Sequence, residues 1–140
     1  MNINFFSEDV DLPEIDFSKI KEWISEVVSG YNKSVGDLNY IFCSDDYLLK
    51  INKEYLQHDY YTDIITFNYC EENIISGDIF ISLDRVSENA DEFNTNDTEL
   101  YRVIIHGVLH LVGFEDHTDE EKQEMRNAED TALRVFKSEI

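Results

Sequence analysis

From Asn96 or Asp97 to Val112 the chain reads as a helix with almost no polar face, and such a helix dictates what must be built around it. At about 100° per residue, Leu100, Val103, Ile104, Val108 and Leu111 share one broad face. Ile105, Leu109 and Val112 cover most of the remainder. Only a narrow stripe of Glu99, Arg102, His106 and His110 stays polar. A helix of this kind has to be buried, and its few polar side chains are expected to face a single cavity. Either Asn96 or Asp97 can cap its N-terminus, with Glu99 near the positive end of the helix dipole.

The polar stripe has metal-ligand spacing. Four residues apart on a helix, His106 and His110 hold their Cβ atoms roughly 6 Å apart on one face, where two imidazoles can chelate one ion. Gly113 can take the left-handed backbone that ends helices, and a chain turning back there brings His117 toward the same ion. Three neutral imidazoles with a vacant fourth position describe a catalytic zinc site, with one Zn2+ per chain. Copper, nickel and iron also accept imidazole, so ligand type alone does not name the metal. A lone histidine more often hydrogen-bonds a carbonyl within a core, but three at this spacing favour an ion that takes up their lone pairs. A zincin peptidase carries Glu directly after the first His as general base. Gly107 stands there instead, although Glu115, Asp116, Glu120 or Glu121 can approach from the following turn.

Charge narrows the partners. Eleven basic against thirty-one acidic side chains give a formal net charge of −20, so bulk electrostatics do not grip nucleic acid here. Much of the acidity follows the histidines, in residues such as Glu115, Asp119, Glu124 and Glu129, and reads as a solvated helix face. The 140 residues suit one domain, 1–140. No apolar run is long enough to cross a membrane, and the first residues lack a signal peptide's basic start and long apolar core, so a cytoplasmic protein is expected. Cys43 and Cys70 have neither zinc-like nor redox-like spacing and read as small buried hydrophobes.

Elsewhere, periodicity predicts a strand over Asn2–Phe6, a helix over Asp16–Tyr31 and a strand over Asp37–Cys43. Ser44 then caps a second helix carrying Leu48, Leu49, Ile51 and Tyr55. Asp63–Tyr69 and Ile74–Leu83 form a hairpin across Cys70-Glu71-Glu72-Asn73. Helices over Ser82–Phe93 and Thr118–Lys137 flank the histidine helix, the last with Met125, Ala128, Ala132, Leu133 and Phe136 turned inward. Thr118 and Glu121 make a capping box that sets His117 just before a fixed helix start.

Three ordered blocks carry a resemblance. They are Ile51-Asn52-Lys53-Glu54-Tyr55 leading to Asp59-Tyr60-Tyr61-Thr62-Asp63-Ile64-Ile65-Thr66-Phe67, then Gly77-Asp78-Ile79-Phe80-Ile81-Ser82, then the histidine block with Met125 and Glu129 behind it. From about Leu38 onward the chain resembles the YbeY-type rRNA maturation factors, metal-dependent endoribonucleases of bacteria. The resemblance implies an α+β fold, with a small mixed four-stranded sheet packed by about five helices, a zincin-like metal helix, and zinc held by His106, His110 and His117. It also implies action on single-stranded RNA in maturing the 3′ end of 16S ribosomal RNA and in ribosome quality control, with the ribosome or small-subunit assembly proteins as partners.

The chain departs from that pattern twice. Leu56 stands where better-known members carry an arginine tied to cleavage, and Arg102, Arg85, Lys53 or a protonated His58 are the candidate replacements. One extra residue separates His110 from His117, so a gapless reading puts Asp116 at the ligand position; imidazole as the usual ligand type favours His117, with Asp116 as an outer hydrogen-bond acceptor or helper. The mechanism expected is metal-assisted phosphodiester hydrolysis, with Asp63, Thr66 and Asn68 along the cavity and Tyr55, Tyr60, Tyr61, Phe67 and Tyr69 available to stack unpaired bases. Two other readings stay open, a zinc hydrolase acting on peptides or amides and a non-catalytic ribosome-assembly factor stabilised by zinc.

Overall fold

The computed structural model describes residues 2–93 and 98–139. In chain order these form β1 (Asn2–Ser7), α1 (Phe17–Gly30), β2 (Ser34–Cys43), α2 (Asp45–Leu56), β3 (Ile64–Asn68), β4 (Ile74–Ser82), α3 (Leu83–Phe93), α4 (Glu99–Val112) and α5 (Asp119–Glu139). The fold is α+β, with a mixed four-stranded sheet ordered β1-β2-β4-β3 and five helices. β1, β2 and β4 run parallel, and β3 returns antiparallel to β4 as an edge.

Alternation along the strands creates the two faces of this sheet. Leu38, Tyr40 and Phe42 of β2 and Ile75, Ile79 and Ile81 of β4 are buried in the main core. α1, α4 and α5 pack into that core. Two buried polar groups tie the layers: the Trp23 indole donates to the Ala132 carbonyl at 2.8 Å, and the Tyr40 hydroxyl to that of Ile104 at 2.9 Å. Under α2 a smaller cluster of Cys43, Leu48 and Ile65 packs with Phe67 and Phe80. Burial, with help from the carboxylates of Asp9 and Glu8, pushes the Cys43 thiol up to about 12. Cys70 is only half-buried, less enclosed than expected.

Two expectations shift. β2 starts at Ser34 rather than Asp37, because the ladder resumes beyond an irregularity between Val35 and Leu38 that breaks the alternation. Asn96 and Asp97 lie outside the described residues, and Thr98 takes the N-cap of α4 without a side-chain capping bond. The polar stripe of α4 also divides: His106 and His110 face a cleft, whereas Arg102 is covered by α5, which pairs with it through Glu129 and Asp130.

Gly107 lets α4 lie close on the sheet, since a Cβ there would come within 2.9 Å of Ile79 Cδ1 and 3.1 Å of Ile64 Cδ1. Gly77 is tighter still. A Cβ there would stand 2.4 Å from the Phe67 carbonyl oxygen, and backbone cannot rotate away as a side chain can. Gly77→Ala is therefore expected to destabilise the fold by about 1–3 kcal/mol, read as a lowered midpoint in urea, with β3 losing amide protection before β2 does.

Candidate metal centre

α4 ends at Gly113, whose φ of +131° suits glycine. The amides of Gly113 and Phe114 both donate to the Leu109 carbonyl, at 3.1 and 3.0 Å. That turn folds the Phe114 carbonyl back over the helix, where it receives His110 Nδ1 at 3.0 Å. Four residues beyond Phe114, Thr118 and Glu121 close the expected capping box with bonds of 2.9 and 3.0 Å, and α5 begins.

α5 supplies the second anchor. Glu129 is buried, takes His106 Nδ1 on one carboxylate oxygen at 2.6 Å and Arg102 on the other at 2.8 Å. A carboxylate and a carbonyl only accept hydrogen bonds, so both imidazoles carry a proton on Nδ1, and each ring in its neutral form turns a bare Nε2 toward the other. The two Nε2 atoms stand 3.0 Å apart. Asp116 Oδ2 completes a triangle, 3.5 Å from His106 Nε2 and 3.4 Å from His110 Nε2.

With both rings neutral, these three electron-rich atoms repel one another unless a cation lies between them. Zinc bonds of about 2.0–2.1 Å in a tetrahedron separate neighbouring donors by about 3.3 Å, close to the edges of this triangle. The donor set therefore fits a divalent ion, with outer hydrogen bonds already fixing both rings. Burial pulls the His106 imidazole toward neutrality, but the Glu129 hydrogen bond and the charges of Glu129, Asp116 and Asp63 outweigh it and raise its pKa.

The triangle opens into a cleft of about 550 Å3. α2 and the loop after it contribute Asn52, Leu56, His58 and Tyr60; β3 and the residues before it contribute Asp63, Thr66 and Asn68. Burial raises the Asp63 carboxyl above its ordinary value, against the pull of His106. His117 lines the same cleft, but its side chain is 80% exposed and its Nε2 lies 3.4 Å from Glu115 rather than in the triangle. The turn after Gly113 does return a side chain to the two imidazoles, and that side chain is Asp116.

Arg102, the first candidate for a cleft cation, points behind the site, with Glu129 at 2.8 Å and Asp130 at 2.6 Å. Arg85 is held by Asp45 and Glu88, and Lys53 by Asp59. Of the aromatic group, Tyr60 lines the cleft; Tyr61 bonds Asp46 and lies against Arg85, and Tyr55 packs edge-on to Phe67. Sequence reasoning missed what Glu129 does, although a carboxylate set among Met125, Ala128, Ala132 and Leu133 on an inward stripe is a readable sign of a buried partner. Nothing in the sequence announces the role of the Phe114 carbonyl, because any residue has one.

Comparison with known proteins identifies the family. A family model described as Endoribonuclease YbeY matches residues 2–137. A protein of Parabacteroides distasonis named Endoribonuclease YbeY is 50% identical over 140 residues, covering 99% of each chain. One of the same name from Phocaeicola vulgatus is 54% identical over 135 residues, 96% of this chain and 98% of that one. The solution structure of TM1509 from Thermotoga maritima matches with a TM-score of 0.68 and 30% identity, over 99% of this chain and 93% of the other. The family model, the named relatives and the solved structure each cover nearly the whole chain, and the chain belongs to the YbeY endoribonuclease family.

Proposed function

We infer that this protein is a metal-dependent endoribonuclease that cuts unpaired RNA, with His106, His110 and Asp116 holding one zinc ion. The observation that carries the metal reading is the triangle of two Nε2 atoms and one carboxylate oxygen, whose rings are locked with their lone pairs facing inward. Support for the reaction comes from the family and from relatives named as endoribonucleases. When bound, a divalent ion supplies Lewis-acid polarisation of a phosphoryl oxygen and activates water at neutral pH.

The chain's own residues provide the rest. Glu129 and the Phe114 carbonyl each accept from Nδ1, which holds both imidazoles in fixed orientation with Nε2 toward the triangle. Arg102 acts through Glu129, holding it in place from behind. Thr66 and Asn68 offer hydrogen-bonding groups to the cleft along β3. Maturation of small-subunit ribosomal RNA in the cytoplasm, in contact with ribosome-assembly proteins, is the setting that best suits the family. Among the described residues no helix is long and apolar enough to cross a membrane.

The test uses purified protein, elemental analysis, and RNA oligonucleotides in unpaired and duplex form. Metal removal by chelation is expected to abolish cleavage of the unpaired RNA, and stoichiometric zinc to restore it. Asp116→Ala is expected to weaken zinc binding at least as much as His117→Ala, which leaves the triangle intact. The reverse order would transfer the third position to His117. Turnover of peptides but not RNA, or ribosome association without cleavage in zinc-loaded protein, would overturn the nuclease.

A further inference from the structure

All four histidines of the chain line one cleft, yet among the described residues lining it there is no lysine or arginine. Its charged groups are Asp63, Glu115 and Asp116, so even with a dication in place a phosphodiester enters a cleft poor in positive charge. Lys53, Arg85 and Arg102 are each paired with carboxylates. Some other donor has to receive the phosphate, and His58 stands on the segment that carries no metal donor.

His58 is held there by construction. α2 ends with Gln57 at φ +58°, and the buried Asn52 organises the loop that follows. The Asn52 carbonyl accepts from the amides of Gln57 and His58, and its side-chain amide donates to the Tyr60 carbonyl at 2.9 Å. The rings of His58 and Tyr60 then stack, centroids 5.2 Å apart and planes 20° from parallel. The Tyr60 hydroxyl lies 3.0 Å from His58 Nδ1. When that hydroxyl donates to Nδ1, the imidazole hydrogen sits on Nε2, which has no protein hydrogen-bond partner among the described residues.

We propose that His58, with its tautomer set by Tyr60, is the residue that grips the substrate's backbone phosphate, donating from Nε2 to a non-bridging oxygen. This rests on the RNA-cleaving reading above. It assigns His58 as a substrate-binding residue and Tyr60 as the positioning residue behind it. A donor outside the triangle also leaves His106 and His110 free for a metal.

The experiment compares zinc-loaded wild type, His58→Ala, His58→Gln and Tyr60→Phe. RNA binding is read by fluorescence anisotropy with an unpaired oligonucleotide, cleavage by single-turnover kinetics, and zinc content by elemental analysis. His58→Ala is expected to weaken RNA binding by roughly 10-fold to 100-fold, the range for a hydrogen bond to a charged group, with zinc content unchanged. His58→Gln, whose amide nitrogen falls near the position of Nε2, should recover most of that loss, and Tyr60→Phe should lose an intermediate amount. An oligonucleotide with uncharged methylphosphonate linkages should bind wild type weakly and be indifferent to His58→Ala. Binding by His58→Ala within twofold of wild type, a His58→Gln variant as weak as alanine, or loss of zinc from His58→Ala would each overturn the proposal. Wild type that binds RNA but does not cut it would sink the nuclease reading while the anisotropy still decides His58. Wild type that neither binds nor cuts would remove both.

Discussion

His110→Ala is expected to lose zinc and RNA cleavage together while keeping its fold. His110 contributes one corner of the donor triangle, and its Nε2 lies 3.0 Å from that of His106. Removing an outer hydrogen-bond partner of a metal ligand already costs roughly 10-fold to 100-fold in affinity or activity, and removing the ligand itself should exceed that range. The fold should survive, because the core is made by the other faces of α4, through Ile104, Ile105, Val108 and Leu109. In chelator the substitution should cost little stability, since it also removes one of two lone pairs that face each other. Elemental analysis, single-turnover cleavage and urea unfolding in chelator check the three parts separately. Zinc retained at wild-type affinity would show that the triangle is not the metal site.

Glu129→Gln has the second-largest expected effect, and it acts on two properties at once. The carboxylate accepts from His106 Nδ1 at 2.6 Å and from Arg102 at 2.8 Å, and both neighbours are donors. An amide has one accepting oxygen, so its NH2 group must confront one of those donors. If it confronts His106, the ring loses the bond that fixes its tautomer, and zinc affinity should fall roughly 10-fold to 100-fold. If it confronts Arg102, a buried guanidinium is left with Asp130 alone, and breaking such a pair costs about 3 kcal/mol. Titration with zinc and urea unfolding in chelator divide the effect between the two. Wild-type values in both would mean that Glu129 is a bystander. Arg102→Met then serves as the companion variant, because it disturbs the carboxylate from behind and leaves every cleft residue in place.

The order of elements was readable because periodicity is strong where burial is one-sided. The side-chain caps at Ser44 and Thr118 follow from local rules that distant contacts do not alter. The pair His106 and His110 was readable for the same reason, since helical spacing alone places them together. The third corner was not. Whether Asp116 or His117 turns inward depends on how the chain leaves Gly113 and enters the capping box, a path set by the Phe114 carbonyl returning to His110. No residue type encodes that. Arg102 illustrates a different limit: it lies on the histidine stripe, but a stripe of this length is covered by two surroundings, α5 over its first half and the cleft over its second.

Gly107 touches no substrate atom and holds no proton, yet it sits on the same turn of α4 as the two imidazoles and presses its bare Cα against Ile79 and Ile64. The spacing between the donor rings and the β3 wall is thus gauged by a hydrogen atom. A methyl at that point would act as a shim, lifting α4 and its two imidazoles away from the strands beneath.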